Sequence, residues 1–342
     1  MKKILLDGNL NRYKANLHCH TNVSDGRLSP LEVKELYKSH GYSVIAYTDH
    51  DVMIAHDELN DDGFLALHGY EMEINEERKE DMSYKTCHFC LIQRDPDNMK
   101  QVCWHREKYL FGNAPKYKDQ VKFDESLPDF ERVHSGECVS EMMKTARDNG
   151  FFVTYNHPSW SLETGEDYLN FHGMHAMEIC NYSCFVDGYE EYNPRVYDEM
   201  LRSGKRIFCI GADDNHNEHP KGEGGFDAFG AFTVIFAKDL TYKSVMDALF
   251  AGQFYASQGP EIYSLYYEDG RVYLKCSPAA HIFSTTNRRR TWNYHMEDNS
   301  PLTEVSFRVH DMDKYLRLTV VDELGRHANT VAYWRDDLLK EE

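Results

Sequence analysis

Apolar strand-like runs alternate with segments of helical periodicity from Tyr13 to Gly259, and this alternation constrains the fold more than any other feature of the chain. Strand, helix and strand in repetition is the pattern of a mostly parallel sheet, because helices carry the chain back between parallel strands. A chain of 342 residues is also too long to fold around one small hydrophobic core. We therefore expect one large α/β domain with a smaller addition.

The expected elements are short apolar runs and helices with recognisable first residues. Ser29 and Pro30 are typical of an N-cap and a first helical position. The predicted strands are Ala15–Cys19, Tyr42–Thr48, Phe64–His68, Thr86–Ile92, Phe151–Tyr155, His175–Cys180 and Arg206–Ile210, and the predicted helices are Ser29–His40, Glu137–Asn149 and Glu190–Ser203. Residues Arg94–His134 are polar and aromatic-rich without clean periodicity, which predicts an insertion, with a lid as one interpretation.

After Pro260 the pattern changes to short alternating runs, which indicates a small all-β module. The turn Glu268-Asp269-Gly270 is typical of a hairpin. The predicted domains are residues 1–262, with the insertion at about 94–134, and residues 263–342. The runs of the module are Ile262–Tyr267, Val272–Cys276, Leu302–Val309 and Tyr315–Val321.

Charge and cysteine usage exclude some partners. The chain has 38 Lys and Arg against 57 Asp and Glu, a formal charge of −19, which argues against a nucleic-acid-binding surface. Its nine cysteines are mostly scattered, and alternation within a strand would point Cys87 and Cys90 to opposite faces, so reduced thiols are expected. The apolar run Met1–Leu6 is too short for a signal peptide or a membrane span. We expect a cytoplasmic protein without a membrane partner.

The strongest chemical signal is His18-Cys19-His20 at the end of the first predicted strand. Side chains two apart on a strand share a face and lie roughly 6.5 Å apart, so both imidazoles can reach one metal ion. An isolated pair of this kind is often two ordinary surface or core histidines. Its position before a loop that contains Ser24-Asp25-Gly26 favours the metal-binding interpretation, although Asp25 alone fits an ordinary turn equally well.

Histidines and acids follow several other predicted strands in the same way. Since loops after the strands of an α/β barrel converge on its active site, an ordered set of this kind favours a common site. The segments are Asp49-His50-Asp51, Glu71-Met72-Glu73, Cys87-His88, Asn156-His157 and Asp213-Asp214-Asn215-His216. Glu178 follows as either an acceptor for a metal-bound imidazole or a structural residue.

The motifs HCHTNVSDG, YTDHD, GYEME, HFCLI, NHPSW and GADDNH resemble the motif set of the polymerase-and-histidinol-phosphatase (PHP) superfamily over Ala15–His216. The segment GQFYASQGP at 252–260 and the β-rich tail resemble the CehA/McbA-like subgroup. The resemblance implies a distorted (β/α)7 TIM-like barrel and two or three divalent ions. Mixed nitrogen and oxygen ligands suit Zn, Mn or Fe.

The resemblance also implies a distribution of ligands among the ions. The family's Asp-x-His motif selects Asp214, with Asp213 as the alternative, and the Gly-Tyr step selects Glu71 over Glu73. The implied first ion is held by His18, His20, Glu71 and Asp214, the second by Glu71, His88 and His157, and the third by Asp25, His50 and His216.

The implied reaction is hydrolysis of a phosphate ester of a small substrate, for example a nucleotide-like one, by a water that the ions activate. The proton for the leaving oxygen is assigned to His50, Asp51 or His216 without preference. Candidate phosphate contacts are Arg27, Lys85 and Arg195, and a surface charge is the favoured alternative for each. Carbamate or carboxylic ester hydrolysis at the same ions, and a non-catalytic metal-stabilised binding protein, are the competing hypotheses.

Overall fold

In the computed structural model, which describes residues 2–77, 84–289, 291–298 and 300–340, the chain forms a mixed α/β fold around one large sheet. The strands are β1 (Lys2–Leu6), β2 (Asn11–Asn16), β3 (Val44–Tyr47), β4 (Leu65–Asn75), β5 (Thr86–Gln93), β6 (Lys100–Gln101), β7 (Lys122–Phe123), β8 (Phe151–Tyr155), β9 (Ala176–Asn181), β10 (Phe208–Ala212), β11 (Phe232–Ala237), β12 (Phe254–Ser257), β13 (Ile262–Glu268), β14 (Arg271–Ala279), β15 (His281–Thr286), β16 (Trp292–Tyr294), β17 (Leu302–Arg308), β18 (Tyr315–Val321), β19 (His327–Thr330) and β20 (Tyr333–Trp334).

The helices lie mostly between these strands, as the alternating pattern predicts. They are α1 (Pro30–Lys38), α2 (Gly136–Asp148), α3 (Gly165–Tyr168), α4 (Tyr182–Val186), α5 (Pro194–Arg202), α6 (Tyr242–Phe250) and α7 (Arg335–Leu338), with 3-10 helices at Asp57–Leu59 and Ala114–Gln120. Among the described helices, none is long and apolar enough to cross a membrane.

The large sheet runs in the order β10-β9-β8-β5-β4-β3-β2-β11-β12-β19-β18-β15-β16, with β20 beside β18. Strands β2, β3 and β4 are parallel to one another, and so are β8, β9 and β10. Strand β5 is antiparallel to both β4 and β8. Residues 76–85 between β4 and β5 are fewer than the dozen or more that a parallel crossover needs, so the chain reverses here.

The first and last strands of the series from β2 to β10 also meet at one end. The amide of Asp214 donates to the carbonyl of His18 at 3.0 Å, and the amide of His20 donates to the carbonyl of Asn215 at 3.0 Å. Cys19 and Asn215 form an isolated parallel bridge. The chain just after β2 therefore lies against the chain just after β10, and the residues that follow both strands are neighbours.

Local signals account for most of the predicted elements. Ser29 caps α1 in a reciprocal capping box with Glu32, as the sequence predicts. The strand predicted at Phe151–Tyr155 is β8. Helix α5 begins only at Pro194, because proline at the first turn fixes the start of the helix there.

The C-terminal strands belong to two sheets. Strands β13, β14 and β17 form a four-stranded sheet with β1, whereas β15, β16 and β18 to β20 extend the large sheet beyond β12. Asp269 and Gly270 have φ values of +49° and +77°, the left-handed pair that the predicted hairpin turn requires. The pairing of β1 with β13 crosses the proposed boundary at residue 262, and the division into two domains stays a prediction.

The insertion at 94–134 contains β6, β7 and a 3-10 helix. Trp104, Ala114 and Val121 pack in it against Val23 and Val52, which lie in the loops after β2 and β3. This small apolar cluster is separate from the main core. It places the insertion beside the loops that carry the predicted metal ligands.

Candidate metal centre

Four of the predicted ligands converge, two just after β2, one within β4 and one just after β10. His18 Nε2 lies 3.1 Å from Glu71 Oε1 and 3.1 Å from Asp214 Oδ1. His20 Nε2 lies 3.3 Å from Glu71 Oε2, 3.1 Å from Asp214 Oδ1 and 3.1 Å from His18 Nε2. A tetrahedral ion bound at roughly 2.1 Å separates its ligand atoms by about 3.4 Å. The four side chains therefore have the spacing of a ligand shell.

The protonation pattern of His18 explains what holds this group together. Its Nδ1 lies 2.8 Å from Glu178 Oε1, and an ionised carboxylate only accepts, so Nδ1 carries the proton. Nε2 faces the oxygens of Glu71 and Asp214, which are acceptors too, so either a second proton on the ring or a bound cation must lie between them. A bound cation would satisfy all three groups at once. Glu178 is positioned as the acceptor that orients a metal-binding imidazole. It also accepts a hydrogen bond from the amide of His157 at 3.0 Å.

Unsatisfied atoms point to the same place. His20 Nδ1, His50 Nδ1 and Asp214 Oδ1 are buried, and although each lies 3.1–3.4 Å from another ligand atom, none has a hydrogen bond of acceptable geometry among the described residues. Buried polar atoms are normally paired, so three such atoms at one site need a further binding partner. Asp214 and His157 also have positive φ values of +55° and +24°, a strain that is typical of functional positions. The donor set fits divalent metal ions.

Glu71 joins this first group to a second. Its Oε1 lies 3.3 Å from His88 Nδ1 and 3.4 Å from His157 Nε2. Asn156 donates to the same oxygen at 2.8 Å and orients the carboxylate. Glu71, His88 and His157 thus form a separate cluster of ligand atoms that shares Glu71 with the first.

A third group surrounds Asp25. Its Oδ1 lies 3.4 Å from His20 Nδ1, and its Oδ2 lies 3.6 Å from His50 Nε2 and 3.4 Å from His216 Nε2. Gly26 allows the turn to approach so closely, because a Cβ there would lie 2.6 Å from the carbonyl carbon of His20. His20, Asp25, His50 and His216 therefore form a third cluster of ligand atoms.

The groups shift one another's pKa values in opposite directions. Burial alone raises the pKa of Glu71, but His18 and His88 outweigh it and hold that pKa well below its usual range. Burial alone lowers the pKa of His18, and Asp214 with Glu71 raises it well above its usual range. The pKa of His50 falls to about 4 through burial and the neighbouring His20. The carboxylates are thus held in the charged form that metal binding needs.

The structure separates the two adjacent aspartates. Both oxygens of Asp213 accept hydrogen bonds, from the amides of Phe229, Gly230 and Ala231 and from the hydroxyl of Tyr37, at 2.8–2.9 Å. Only Asp214 turns toward the histidines. Glu73 lies at the rim of the cavity beside Asn75, whereas Glu71 is buried among the histidines.

Asp51 does not join the cluster. Its carboxylate forms a buried ion pair with Arg132 from the insertion, and it is not among the described residues that line the cavity. Burial raises the pKa of Asp51 to about 6, against the lowering effect of Arg132. The sequence pattern placed Asp51 next to His50, but its partner lies 81 residues further along the chain.

The predicted phosphate contacts are not brought to the site either. Lys85 pairs with Asp167 at 2.7 Å, and Arg195 pairs with Glu199 at 2.9 Å. Arg27 is exposed and donates to the carbonyl of Glu218. The favoured interpretation of these three as surface charges agrees with where the structure places them.

Sequence reasoning missed Cys90 as a neighbour of the centre. Its Sγ is within ligand-cluster distance of His18 and Glu71, and it accepts from Asn156 Nδ2 at 3.2 Å. The available signal was the spacing from His88, since residues two apart on a strand share a face. Cys90 therefore lies on the same face of β5 as His88, and Cys87 lies on the opposite face.

The three groups border a cavity of about 500 Å³. Ligand-binding residues lie at its base, and aromatic and apolar residues lie further out. The described lining consists of Asp25, His50, Glu71, Glu73, Asn75, Tyr84, Thr86, His88, Phe111, His157, Trp160, Leu162, Ser183, Cys184, Asp187, Tyr189, Asp214 and His216. The described part of the lining contains neither lysine nor arginine.

Fold and site together define a mixed α/β protein with clustered side chains of the types that bind metal ions. No protein-family model matches the chain, and no curated protein matches it. Among solved structures it is similar to a two-domain protein from Bacteroides vulgatus that contains a predicted PHP-like metal-dependent phosphoesterase. The two chains share 16% identity, the match covers 94% of each, and the TM-score is 0.45.

Two further solved structures match a smaller share of the chain. A protein from Bifidobacterium adolescentis, described as a metal-dependent phosphoesterase, is 17% identical over 62% of this chain and 91% of its own, with a TM-score of 0.39. An amidohydrolase from Chromobacterium violaceum, with bound sulfate and no metal, is 16% identical over 61% and 89%, with a TM-score of 0.38. The description of the Bacteroides vulgatus protein carries the name of the superfamily whose motifs the sequence resembles, and the CehA/McbA-like features stay a prediction.

Proposed function

We propose that the chain is a metal-dependent hydrolase that cleaves phosphate esters of a small substrate. The observation that carries the proposal is Glu71, whose carboxylate lies between the first and second ligand groups at the base of an open cavity. A structural metal site is normally closed by four protein ligands, whereas the second group offers only three, Glu71, His88 and His157, which leaves a position for water or substrate.

The proposal includes the architecture that the sequence predicts. Strands β2 to β5 and β8 to β10 would form the distorted (β/α)7 barrel, and the contacts between the chain after β2 and the chain after β10 support its closure. Most of the ligands then follow strands at one end, where active sites of α/β barrels collect, and Glu71 and His88 lie within β4 and β5. Residues 1–262 would be the catalytic domain and 263–342 the β-rich addition.

In this proposal two or three divalent ions of Zn, Mn or Fe occupy the three groups. Such ions supply Lewis acidity, which lowers the pKa of water toward about 7 and neutralises phosphoryl oxygens. The chain's own residues fix the geometry. Glu178 and Asn156 hold His18 and Glu71 in the orientations that aim their ligand atoms at the shared space.

His216 is the residue that we propose to protonate the leaving oxygen. Its Nδ1 lies 3.0 Å from the carbonyl oxygen of Asp214, which only accepts, so Nδ1 keeps its proton. Nε2 is then the atom that faces Asp25 and the cavity, and it is free to carry a proton when the third group holds no ion. His50 lines the same cavity as an alternative, whereas Asp51 is bound by Arg132.

Hydrolysis of a carbamate or carboxylic ester is the second candidate. It is favoured by one observation, the acidic lining without a described cation, because a substrate without negative charge would meet less repulsion there. The chain's charge of −19 supports a small-molecule substrate rather than a nucleic acid in both cases.

The test is turnover of a panel of phosphate esters and aryl carbamates by chelated protein after separate reconstitution with Mn, Zn and Fe. We expect phosphate ester hydrolysis that needs added metal, and a loss of roughly 10³-fold in His18→Ala. His172→Ala is the matched control, since His172 is an exposed histidine away from the cavity. Turnover of carbamates alone would select the second candidate, and no turnover with any metal would contradict both.

A further inference from the structure

An apolar rim surrounds the polar base of the cavity. Phe111, Leu162 and Tyr189 line the cavity and are 52%, 47% and 42% exposed, and Trp160 stands half-buried beside them. Large apolar side chains exposed together at the mouth of one cavity are costly to leave in water and mark a ligand surface. They come from the insertion, from the loop after β8 and from the segment after α4.

Phe111 is fixed over the third ligand group. Its ring lies 5.6 Å from the ring of His50 at 80°, an edge-to-face arrangement. The neighbouring backbone holds it there, since Asn113 donates from its amide to the carbonyl of Ser24 at 2.6 Å. Gly112 permits this approach, because its φ is +56° and a Cβ would lie 2.3 Å from the same carbonyl oxygen.

Trp160 is fixed over the second ligand group. Its ring lies 5.3 Å from His88 at 63° and 5.1 Å from His157 at 80°. Its Nε1 donates to Asp187 Oδ2 at 3.2 Å, so the polar edge of the indole is satisfied. The rest of the ring is apolar and lies next to His88 and His157.

The charge of the cavity limits what this rim can bind. The described lining carries the carboxylates of Asp25, Glu71, Glu73, Asp187 and Asp214. Asp25, Glu71 and Asp214 belong to the ligand groups, whereas Glu73 and Asp187 lie outside them. A substrate with a second anionic group beyond its scissile ester would be repelled at the rim.

We propose that the rim formed by Phe111, Trp160, Leu162 and Tyr189 is a subsite for an uncharged aromatic ring attached to the scissile ester. This inference rests on the proposed function and names the substrate class for it: esters of benzyl or aryl type, in which the ring carries no anion. The ester group meets the ion-binding base, and the ring is removed from water between the aromatic side chains.

Binding of two non-hydrolysable probes to metal-loaded protein tests the subsite without turnover. Benzylphosphonate and methylphosphonate offer the ligand groups the same headgroup and differ in the ring. By calorimetry we expect the benzyl compound to bind about tenfold or more tightly, as burial of a ring implies. Phe111→Ala should remove most of this preference, and Trp292→Ala, an exposed aromatic residue of β16, should keep it.

Equal affinity for the two phosphonates, or an unchanged ratio in Phe111→Ala, would overturn the subsite. Turnover of benzyl phosphate and methyl phosphate reports separately on the proposed function. A ring preference in binding without hydrolysis of either ester would keep the subsite and contradict the phosphoesterase. Hydrolysis of both esters without a ring preference would do the reverse.

Discussion

The base and the rim of the cavity are built in different ways. At the base, His18, His20, Glu71 and Asp214 are buried, and their ligand atoms lie 3.1–3.3 Å apart. At the rim, Phe111 and Leu162 are about half exposed and extend from loops. The base is therefore held by strands and by mutual charge, and the rim by a few backbone contacts.

This difference separates chemistry from selectivity. Residues at the ends of strands are positioned by the sheet, so their geometry is stiff and suits metal ligands. Residues on loops can change without disturbing the sheet, which suits a surface that selects the substrate. Changes at the base should thus affect metal content and activity together, and changes at the rim should affect binding alone.

The largest effect is expected from exchanging one of two adjacent aspartates. Asp214→Asn should lose the first ion and roughly 10³-fold in kcat/KM, because Asp214 faces both histidines of that group. Asp213→Asn is the matched control, since Asp213 anchors backbone amides instead. It should keep its metal and lose about 1–3 kcal/mol of stability. Elemental analysis measures the metal content, and urea unfolding measures the stability. Loss of metal in Asp213→Asn alone would show that Asp213, and not Asp214, is the ligand.

The next largest effect is expected from the buried ion pair that joins the insertion to the loop after β3. Arg132 and Asp51 are 3% and 2% exposed, and Arg132→Gln leaves the aspartate buried without its cation. We expect a loss of about 3 kcal/mol in the free energy of unfolding. In the same insertion the pair of Arg106 with Asp129 is 33% exposed on each side, so Arg106→Gln should cost at most about 1 kcal/mol. Equal losses of unfolding free energy in the two variants would show that the buried ion pair stabilises the protein no more than the exposed one.

A smaller effect is expected one step behind the ligands. Glu178→Gln keeps the shape but weakens the acceptor for His18 Nδ1. Metal affinity should fall about 10- to 100-fold, measured by competition with a chromogenic chelator. An unchanged affinity would assign Glu178 the structural role that the sequence left open.

The smallest effect on the protein itself is expected at the rim. Phe111→Ala should change stability by no more than about 0.5 kcal/mol, since the side chain is half exposed. Its metal content should equal that of the wild type, because Phe111 contacts a ligand ring but offers no ligand atom. Loss of an ion from this variant would show that base and rim are not separable.

Strand ends were the part of the site that sequence could predict. His18, His157 and Asp214 follow apolar runs that are visible in the chain, and the sheet brings those ends together. Glu71 lies instead within β4, which continues to Asn75 beyond the strand predicted at Phe64–His68. Strand β8 was predicted to the residue for the same reason. The antiparallel course of β5 was not predicted, because apolar runs look alike in either direction.

Contacts between distant loops were the part that it could not predict. Asp51 was a candidate proton donor until Arg132, 81 residues away, supplied its partner. Cys90 reached the centre through the face it shares with His88 on β5, and the rim depends on where the insertion lies. Each of these is decided by tertiary packing, which leaves no periodic signal in the chain.

Anomalous diffraction from crystals grown with manganese tests the central claim most directly. We expect one peak enclosed by His18, His20, Glu71 and Asp214 and a second enclosed by Glu71, His88 and His157. A third peak beside Asp25 would complete the set. An anomalous map of the manganese-grown crystals that shows no peak between these side chains would contradict the account.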